Sequence, residues 1–177
     1  MTEQILLDRY SLSILAALID DSRQTVQQLA QAVGLSSSPC WKRIKDMEAA
    51  GVIQRYSAVV DAERVGLGLR VIVDANLAVH SEDLVRQFES AVAACPQIVQ
   101  CDSTTGEADY TMTVLVADIK RYEQFLHDTL FKLPGITHVR ARIVLKAVKA
   151  AGRLPLPAEA QAGAGPMIAN KQRSRRD

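Results

Sequence analysis

The sequence predicts an α+β protein in which an N-terminal helix-turn-helix (winged-helix-like) domain precedes a C-terminal βαββαβ sheet domain. Three observations lead to this prediction. Apolar residues within 1–50 recur with helical spacing and are separated by capping residues. Within 68–149, segments that alternate apolar and polar side chains are interleaved with helical patterns. Residues 150–177 are rich in Ala, Gly, Pro and Gln, which predicts a disordered tail.

The N-terminal domain, residues 1–50, contains three predicted helices. The first is an apolar stripe of broadly helical spacing: Leu7, Leu12, Ile14, Leu15 and Leu18. Thr25 is placed to cap the second helix, and Gly34 stands where a helix end needs a left-handed residue. Such a short turn followed by a further helix is typical of a helix-turn-helix.

The third helix has two possible starting points. Ser36 as the cap leaves a short turn and puts Pro39 in the first helical turn, where its missing N–H costs little. Ser38 as the cap, with Pro39 at the first helical position, is the alternative. We favour Ser36 because a short turn suits two helices that cross closely.

Residues 51–67 are predicted to form a linking strand, from Val52 to Val60, and a hinge. Residues 68–149 then follow the order β-α-β-β-α-β, which is that of a ferredoxin-like domain. Ser81 and Asp118 are predicted to cap its two helices.

Strands are predicted at 98–104 and 109–116, on either side of the turn 105–108, and a last strand alternates from Val139 to Ala147. Because two helices cover only one face of such a sheet, the other face is expected to pack against a second copy of the chain.

Two motifs carry a resemblance to a known family. The stretch GLSSSPCWKRIKDMEAAGVIQRYSAVVD joins a predicted recognition helix to the linking strand, and TGEADYTM contains a Gly-x-x-Asp-Tyr loop. At this spacing they resemble the Lrp/AsnC family of feast/famine, leucine-responsive transcription factors, over roughly residues 5–150. Ser11 departs from the family's usual aspartate, Met47 from its usual leucine, and the tail is longer than the family needs.

The resemblance implies a sequence-specific DNA-binding transcriptional regulator of amino-acid metabolism. It implies homodimers, joined through linking strands and ferredoxin-like domains, that assemble further, often into octamers. It also implies a small amino-acid effector bound near the hairpin loop between dimers. In this chain the effector-binding residues are then Thr105, Gly106, Glu107 and Asp109. Gly106 lets a ligand approach the backbone, and the two carboxylates suit an ammonium group.

The recognition helix is expected to meet double-stranded DNA. At about 100° per residue, Cys40, Ile44 and Met47 share the inward side. Small serines at the helix start permit close approach to base edges, lysines reach phosphates or guanine, and the helix N-terminus favours a phosphate. The predicted DNA-contacting residues are Ser36, Ser37, Ser38, Trp41, Lys42, Arg43 and Lys45. For Trp41, a place in the core or in an interface stays open.

Composition excludes several other classes. The net charge of +1 gives no general attraction to nucleic acid, so DNA binding must rest on a local patch. The three cysteines form no CxxC pair, which argues against a disulfide framework or thiolate metal site and fits the cytoplasm. Neither a phosphate-binding glycine loop nor an acid/base constellation is present in the sequence, so we expect no enzyme and no cofactor. Neither a signal peptide nor an apolar run of about 18 residues is found, so no membrane partner is expected.

Two alternatives stay open at this point. A metabolite-binding regulatory module without DNA binding is compatible with the first 64 residues, which carry 7 basic and 8 acidic side chains. The cations Lys42, Arg43 and Lys45 weigh against it. A small enzyme on a ferredoxin-like scaffold is disfavoured by the missing catalytic constellation. The effector is not fixed either, although the run PCWKR resembles a subgroup tied to sulfur amino acids such as cysteine.

Overall fold

The computed structural model describes residues 7–79, 81–149 and 154–156. The chain divides into two compact units. The sheet unit is Val59–Ala150, and the helical unit is Met1–Ala58 together with Ala151–Asp177. The division falls inside the predicted linking segment, 51–67.

The helical unit contains α1 (Arg9–Asp20), α2 (Val26–Val33) and α3 (Ser37–Ala49). Its predicted caps are confirmed. The Thr25 hydroxyl accepts from the Gln28 N–H and the Gln28 side chain accepts from the Thr25 N–H, which is a capping box. Gly34 ends α2 at a φ of 73°, a left-handed conformation that favours glycine. Ser36, rather than Ser38, is the cap of α3.

One apolar cluster holds these three helices together. Its buried members are Ile14, Leu15, Leu29, Ala30, Cys40, Ile44 and Met47. Full burial of one such aliphatic side chain stabilises the folded state by about 1.5–3 kcal/mol. Because the cluster contains residues of all three helices, this packing holds α3 against α1 and α2. Ser11 and Ser13 of α1 are buried as well, and the Ser13 hydroxyl donates to the Arg9 carbonyl at 2.9 Å.

The sheet unit has the predicted ferredoxin-like order. Its elements are β1 (Leu69–Leu77), α4 (Glu82–Ala93), β2 (Ile98–Ser103), β3 (Tyr110–Val116), α5 (Ile119–Asp128) and β4 (Ile136–Ile143). The strands lie in the order β2-β3-β1-β4, and each neighbouring pair is antiparallel. The predicted caps Ser81 and Asp118 accept from the N–H groups of Leu84 and Arg121.

The two faces of the sheet differ. Alternate residues of β1 and β3 are buried with residues of α4 and α5 in one core, and the Phe88 and Tyr110 rings lie 4.6 Å apart. The opposite face of β1 carries half-buried Ile72 and Asp74. There Asp74 accepts from Thr111 at 2.9 Å and from Arg142 at 2.7 Å. This face, the open face, therefore holds a polar network, as expected from the alternation.

The last strand differs from the prediction of 139–147. It begins at Ile136 and ends at Ile143, which pairs with Val71. The Val144 N–H still donates to the Arg70 carbonyl at 2.9 Å, and β1 begins only one residue before Arg70, so the pairing ends close to Val144. Leu145, predicted to alternate inward, is consequently 96% exposed.

The predicted linking strand has no strand geometry in the single chain. Residues 54–61 carry no regular secondary structure, and Val59 and Val60 are exposed. A strand needs a hydrogen-bonding neighbour, so strand formation here stays a prediction that applies to the dimer. In the predicted tail, 154–156 is described, whereas 150–153 and 157–177 lie outside the described residues.

Candidate DNA interface and effector loop

Helix α3 presents one exposed side because its other side is fixed in the core. Cys40, Ile44 and Met47 are at most 6% exposed, as the helical spacing predicts. Burial also raises the pKa of the Cys40 thiol, so this cysteine stays protonated and inert at neutral pH. The opposite side of α3 is therefore the side available to DNA.

The start of α3 is polar and accessible. Ser36, Ser37 and Ser38 are all exposed. Ser36 has the extended backbone of a cap, but its hydroxyl makes no capping hydrogen bond to α3. The first-turn N–H groups are thus left for a phosphate, which a helix N-terminus binds well.

The cationic residues are spread along the same side. Lys42 is exposed. The Lys45 ammonium lies 2.6 Å from a Glu48 carboxylate oxygen and 5.9 Å from the centre of the Trp41 ring. Glu48 also accepts from the Tyr56 hydroxyl, and these two contacts, Lys45 first, lower the pKa of its carboxyl. Lys45 is therefore already paired with a carboxylate on α3.

Trp41 lies on the outer side of α3 rather than in the core. It is 52% exposed, although a large aromatic side chain normally gains by burial. The alternative of a core position for Trp41 is therefore wrong for the helical unit, and the ring is accessible to a ligand or a partner.

Arg43 points to a different neighbour. Its guanidinium donates to the Asp8 carboxylate at 2.9 Å and to the Pro39 carbonyl at 3.4 Å, and it lies 5.6 Å from the centre of the Tyr10 ring. Asp8 is also the cap of α1, accepting from the Ser11 N–H at 2.7 Å. The hydrogen bond from Arg43 is the main reason that the pKa of Asp8 falls to about 2. Arg43 thus ties the start of α1 to α3.

We expect Arg43→Gln to lower the free energy of unfolding of the helical unit by about 1 kcal/mol, because it removes this ion pair and ring contact. Asp8→Asn keeps the α1 cap but removes the charge, so the two changes together should cost less than their sum. Urea unfolding followed by Trp41 fluorescence measures this, since Trp41 is the only tryptophan in the sequence. Arg23→Gln, which breaks an exposed pair with Asp21, is the matched control. Strict additivity would contradict the coupling.

The hairpin between β2 and β3 contains the predicted effector residues. Gly106 has a φ of 124°, which side-chain-bearing residues rarely adopt, and open space lies where its Cβ would be. The hairpin closes through the Thr104 N–H, which donates to the Asp109 carbonyl at 2.9 Å. Thr105 and Glu107 are exposed at its tip. The loop backbone is therefore accessible at Gly106.

The two hairpin carboxylates have different surroundings. The Asp109 carboxylate accepts from the Leu77 N–H at 2.9 Å, and the Asp109 N–H donates to the Ala75 carbonyl at 3.2 Å. Asp109 therefore fastens the hairpin to β1. Glu107 instead pairs with Arg140 at 2.7 Å in an exposed position. Only Glu107 presents its charge toward solvent.

Sequence reasoning missed two residues at this hairpin. Arg140 of β4 supplies a cation to Glu107, and the Asn76 side chain donates to the Glu107 carbonyl at 2.8 Å. The alternation of β4 marked Arg140 as outward-facing. Its partner depends on the register of β4 against β1, which the sequence does not state.

A depression of about 340 Å³ opens beside the base of the hairpin, between α4 and β2. Ser103 and Tyr110, which flank the hairpin, belong to its wall together with Val92 and Cys101. The Tyr110 hydroxyl donates to Glu89 at 3.0 Å, and burial followed by Glu89 raises the pKa of Tyr110 to about 12. The depression thus combines apolar side chains with a neutral phenol and the Glu89 side chain that the phenol contacts.

The chain matches two family models. Residues 7–54 match a winged helix-turn-helix DNA-binding model, and residues 70–154 match the Lrp/AsnC ligand binding domain. The Bkd operon transcriptional regulator of Pseudomonas aeruginosa is 38% identical over 150 residues, which cover 85% of this chain and 98% of that protein.

The chain belongs to the Lrp/AsnC family. Its ferredoxin-like domain is the Lrp/AsnC ligand binding domain, and its helical unit carries the DNA-binding model, so it is a transcriptional regulator. A second relative, the DNA-binding transcriptional activator DecR of Escherichia coli K12, is 34% identical over 151 residues, which cover 85% of this chain and 99% of DecR.

A solved structure of a Neisseria meningitidis transcriptional regulator in complex with L-Met has the same fold as this Lrp/AsnC protein. It superimposes with a TM-score of 0.79 at 32% identity, over 85% of this chain and 97% of the other. The family consists of transcriptional regulators rather than enzymes. Within the described residues of this member, no group of three or more His, Cys, Asp or Glu could hold a metal ion. No described helix is both long and apolar enough to span a membrane.

Proposed function

We propose that this regulator reads DNA with the outer side of α3 and changes its binding when a free amino acid occupies the hairpin of the sheet unit. The observation that carries the proposal is the exposed side of α3, where three serines, Trp41 and two lysines lie together. Genes of amino-acid metabolism are the proposed targets, and the cytoplasm is the proposed location. We expect it to regulate transcription without catalysing a reaction.

The DNA-binding residues fall into two groups. Ser36, Ser37 and Ser38 approach base edges or a phosphate at the helix start, while Lys42 and Lys45 bind phosphates. Trp41 stands between these groups and is proposed to contact sugar or base methyl groups. Arg43 is assigned a positioning role, because its guanidinium is already held by Asp8 and Pro39.

The amino-acid effector is proposed to bind at the Glu107–Arg140 pair. A free amino acid carries an ammonium and a carboxylate, and these two side chains offer one partner for each. Thr105 and Gly106 offer backbone groups at the tip of the loop. Asp109 acts indirectly by holding the hairpin on β1. The depression lined by Val92 and Tyr110 lies on the helix-covered side of the sheet beside β2, away from Arg140 of β4, so it is not part of this proposed site.

We propose a homodimer that assembles further, up to an octamer. The open face holds Asp74 and Arg142 in a polar network. Residues 54–61, which precede β1 in the sequence, also leave the apolar side chains of Val59 and Val60 exposed. Sedimentation velocity at micromolar concentration should give a dimer or a larger species. Ile72→Asp, which adds a charge to the open face, should shift the distribution toward the monomer. Ile119→Asp, at a position that is 60% exposed outside the open face, is the control. A monomeric wild type would contradict this assembly.

Two experiments test the proposed function. Selection from random duplexes should enrich two-fold symmetric sites whose halves lie about one DNA turn apart, since two recognition helices must read them. A thermal-shift screen with the twenty amino acids should find at least one that raises the melting temperature. If no symmetric site is enriched and no amino acid raises the melting temperature, the proposed function is wrong.

A further inference from the structure

A residue far along the chain packs against the core of the helical unit. Leu156 is half-buried and packs against the cluster formed by α1, α2 and α3. The same cluster is bordered by other partly buried residues, which are Leu7, Ala17, Leu18, Val26, Val33, Leu35 and Ile53. Leu156 therefore fills a place in an apolar surface that three helices alone leave incomplete.

The two leucines of this segment have different surroundings. Leu154, two residues earlier, is 71% exposed, and its carbonyl accepts from the Leu156 N–H at 2.9 Å. Pro155 between them has a fixed φ, which reduces the conformational entropy that ordering this turn costs. One leucine thus points into the helical unit and the other into solvent.

This contact lies just beyond the residues that the ligand-binding domain model matches. The match to the ligand-binding domain model ends at residue 154. Leu156 follows the matched region, so the family model does not account for its packing.

We propose that Leu156 anchors the C-terminal segment of this chain in an apolar groove of its DNA-binding unit. The occupant of the groove is the chain's own Leu154–Leu156 turn. The chain leaves the helical unit at Ala58, passes through the sheet unit and returns to the helical unit after Ala150. The DNA-binding unit is thus built from two segments of the chain, one before and one after the sheet unit in the sequence. This inference stands independently of the proposed effector site.

The test is hydrogen exchange of the full chain, measured by mass spectrometry, for Leu156→Asp and Leu154→Asp. If Leu156 is an anchor, Leu156→Asp should speed amide exchange in α1 and α2 about tenfold, while the amides of α4 and α5 keep wild-type rates. Leu154→Asp adds the same charge two residues away and should exchange like the wild type. A chain that ends after Arg153 should reproduce the Leu156→Asp result. Equal exchange in all the variants would overturn the proposal.

Hydrogen exchange measured at several protein concentrations distinguishes a segment that docks on its own chain from one that docks on a second copy. Protection of α1 and α2 by a segment of the same chain does not change on dilution. Loss of that protection on dilution, with the sheet unit unchanged, would mean that the segment docks on a second copy, and the intrachain proposal would be overturned.

Discussion

The double variant Lys42→Ala, Lys45→Ala should lose specific DNA binding at physiological salt. Each lysine stands on the exposed side of α3, and a dimer brings both helices to the DNA, so four phosphate contacts disappear at once. With about 1 kcal/mol for each of the four contacts, affinity should fall by about a thousandfold. The slope of log K against log salt should become shallower by about 3–4, since each lost phosphate contact removes about 0.9.

Fluorescence anisotropy with a labelled operator duplex at several salt concentrations measures both quantities. Lys120→Ala, Lys132→Ala is the matched control, because it removes the same charge from exposed positions of the sheet unit. Arg43→Gln should weaken binding without changing the slope, as a positioning residue does. A double lysine variant with wild-type affinity and slope would show that α3 docks in another way.

Gly106→Asp should abolish the response to the effector while DNA binding without effector and dimerisation persist. The substitution adds a negative charge at the tip of the hairpin and forces a residue with a side chain into a φ of 124°. Its Cβ would meet open space, so the defect arises from backbone conformation and charge rather than from a clash in the core. The helical unit is untouched by this change, which is why basal DNA binding should persist.

Calorimetry decides this prediction, with the amino acid that most raises the wild-type melting temperature. Gly106→Ala separates strain from charge: it should weaken binding less than Gly106→Asp. Glu107→Gln removes the carboxylate without strain and should reduce affinity about tenfold if that group takes the ammonium. Wild-type affinity in Gly106→Asp would place the effector elsewhere, most simply at the dimer interface.

The features that sequence reasoning obtained are local ones. Thr25, Gly34, Ser81 and Asp118 act within one helical turn of their positions, so residue type alone predicts their roles. The alternation of β1 likewise predicts which of its residues are buried, because strand geometry imposes a period of two.

The features that sequence reasoning missed depend on distant partners. The Arg43–Asp8 pair joins residues 35 apart, and the Arg140–Glu107 pair joins residues 33 apart. Helical spacing places Arg43 on the flank of α3, but it does not show that Asp8 lies within hydrogen-bonding distance. Leu156 lies in a stretch whose composition predicts disorder. Composition is an average over many residues, so it does not show that a single leucine packs against the helical unit.

Control of specific DNA binding by an amino acid can be measured directly on this chain. The most direct measurement is fluorescence anisotropy at about 150 mM salt, comparing the duplex upstream of the protein's own gene with an unrelated duplex of equal length, with and without the amino acid found by thermal shift. Specific recognition should make binding to the upstream duplex tighter by about 10³-fold or more. That affinity should also change by about 5–150-fold when the amino acid is added. Equal affinity for the two duplexes, unchanged by any of the twenty amino acids, would contradict amino-acid control of specific DNA binding.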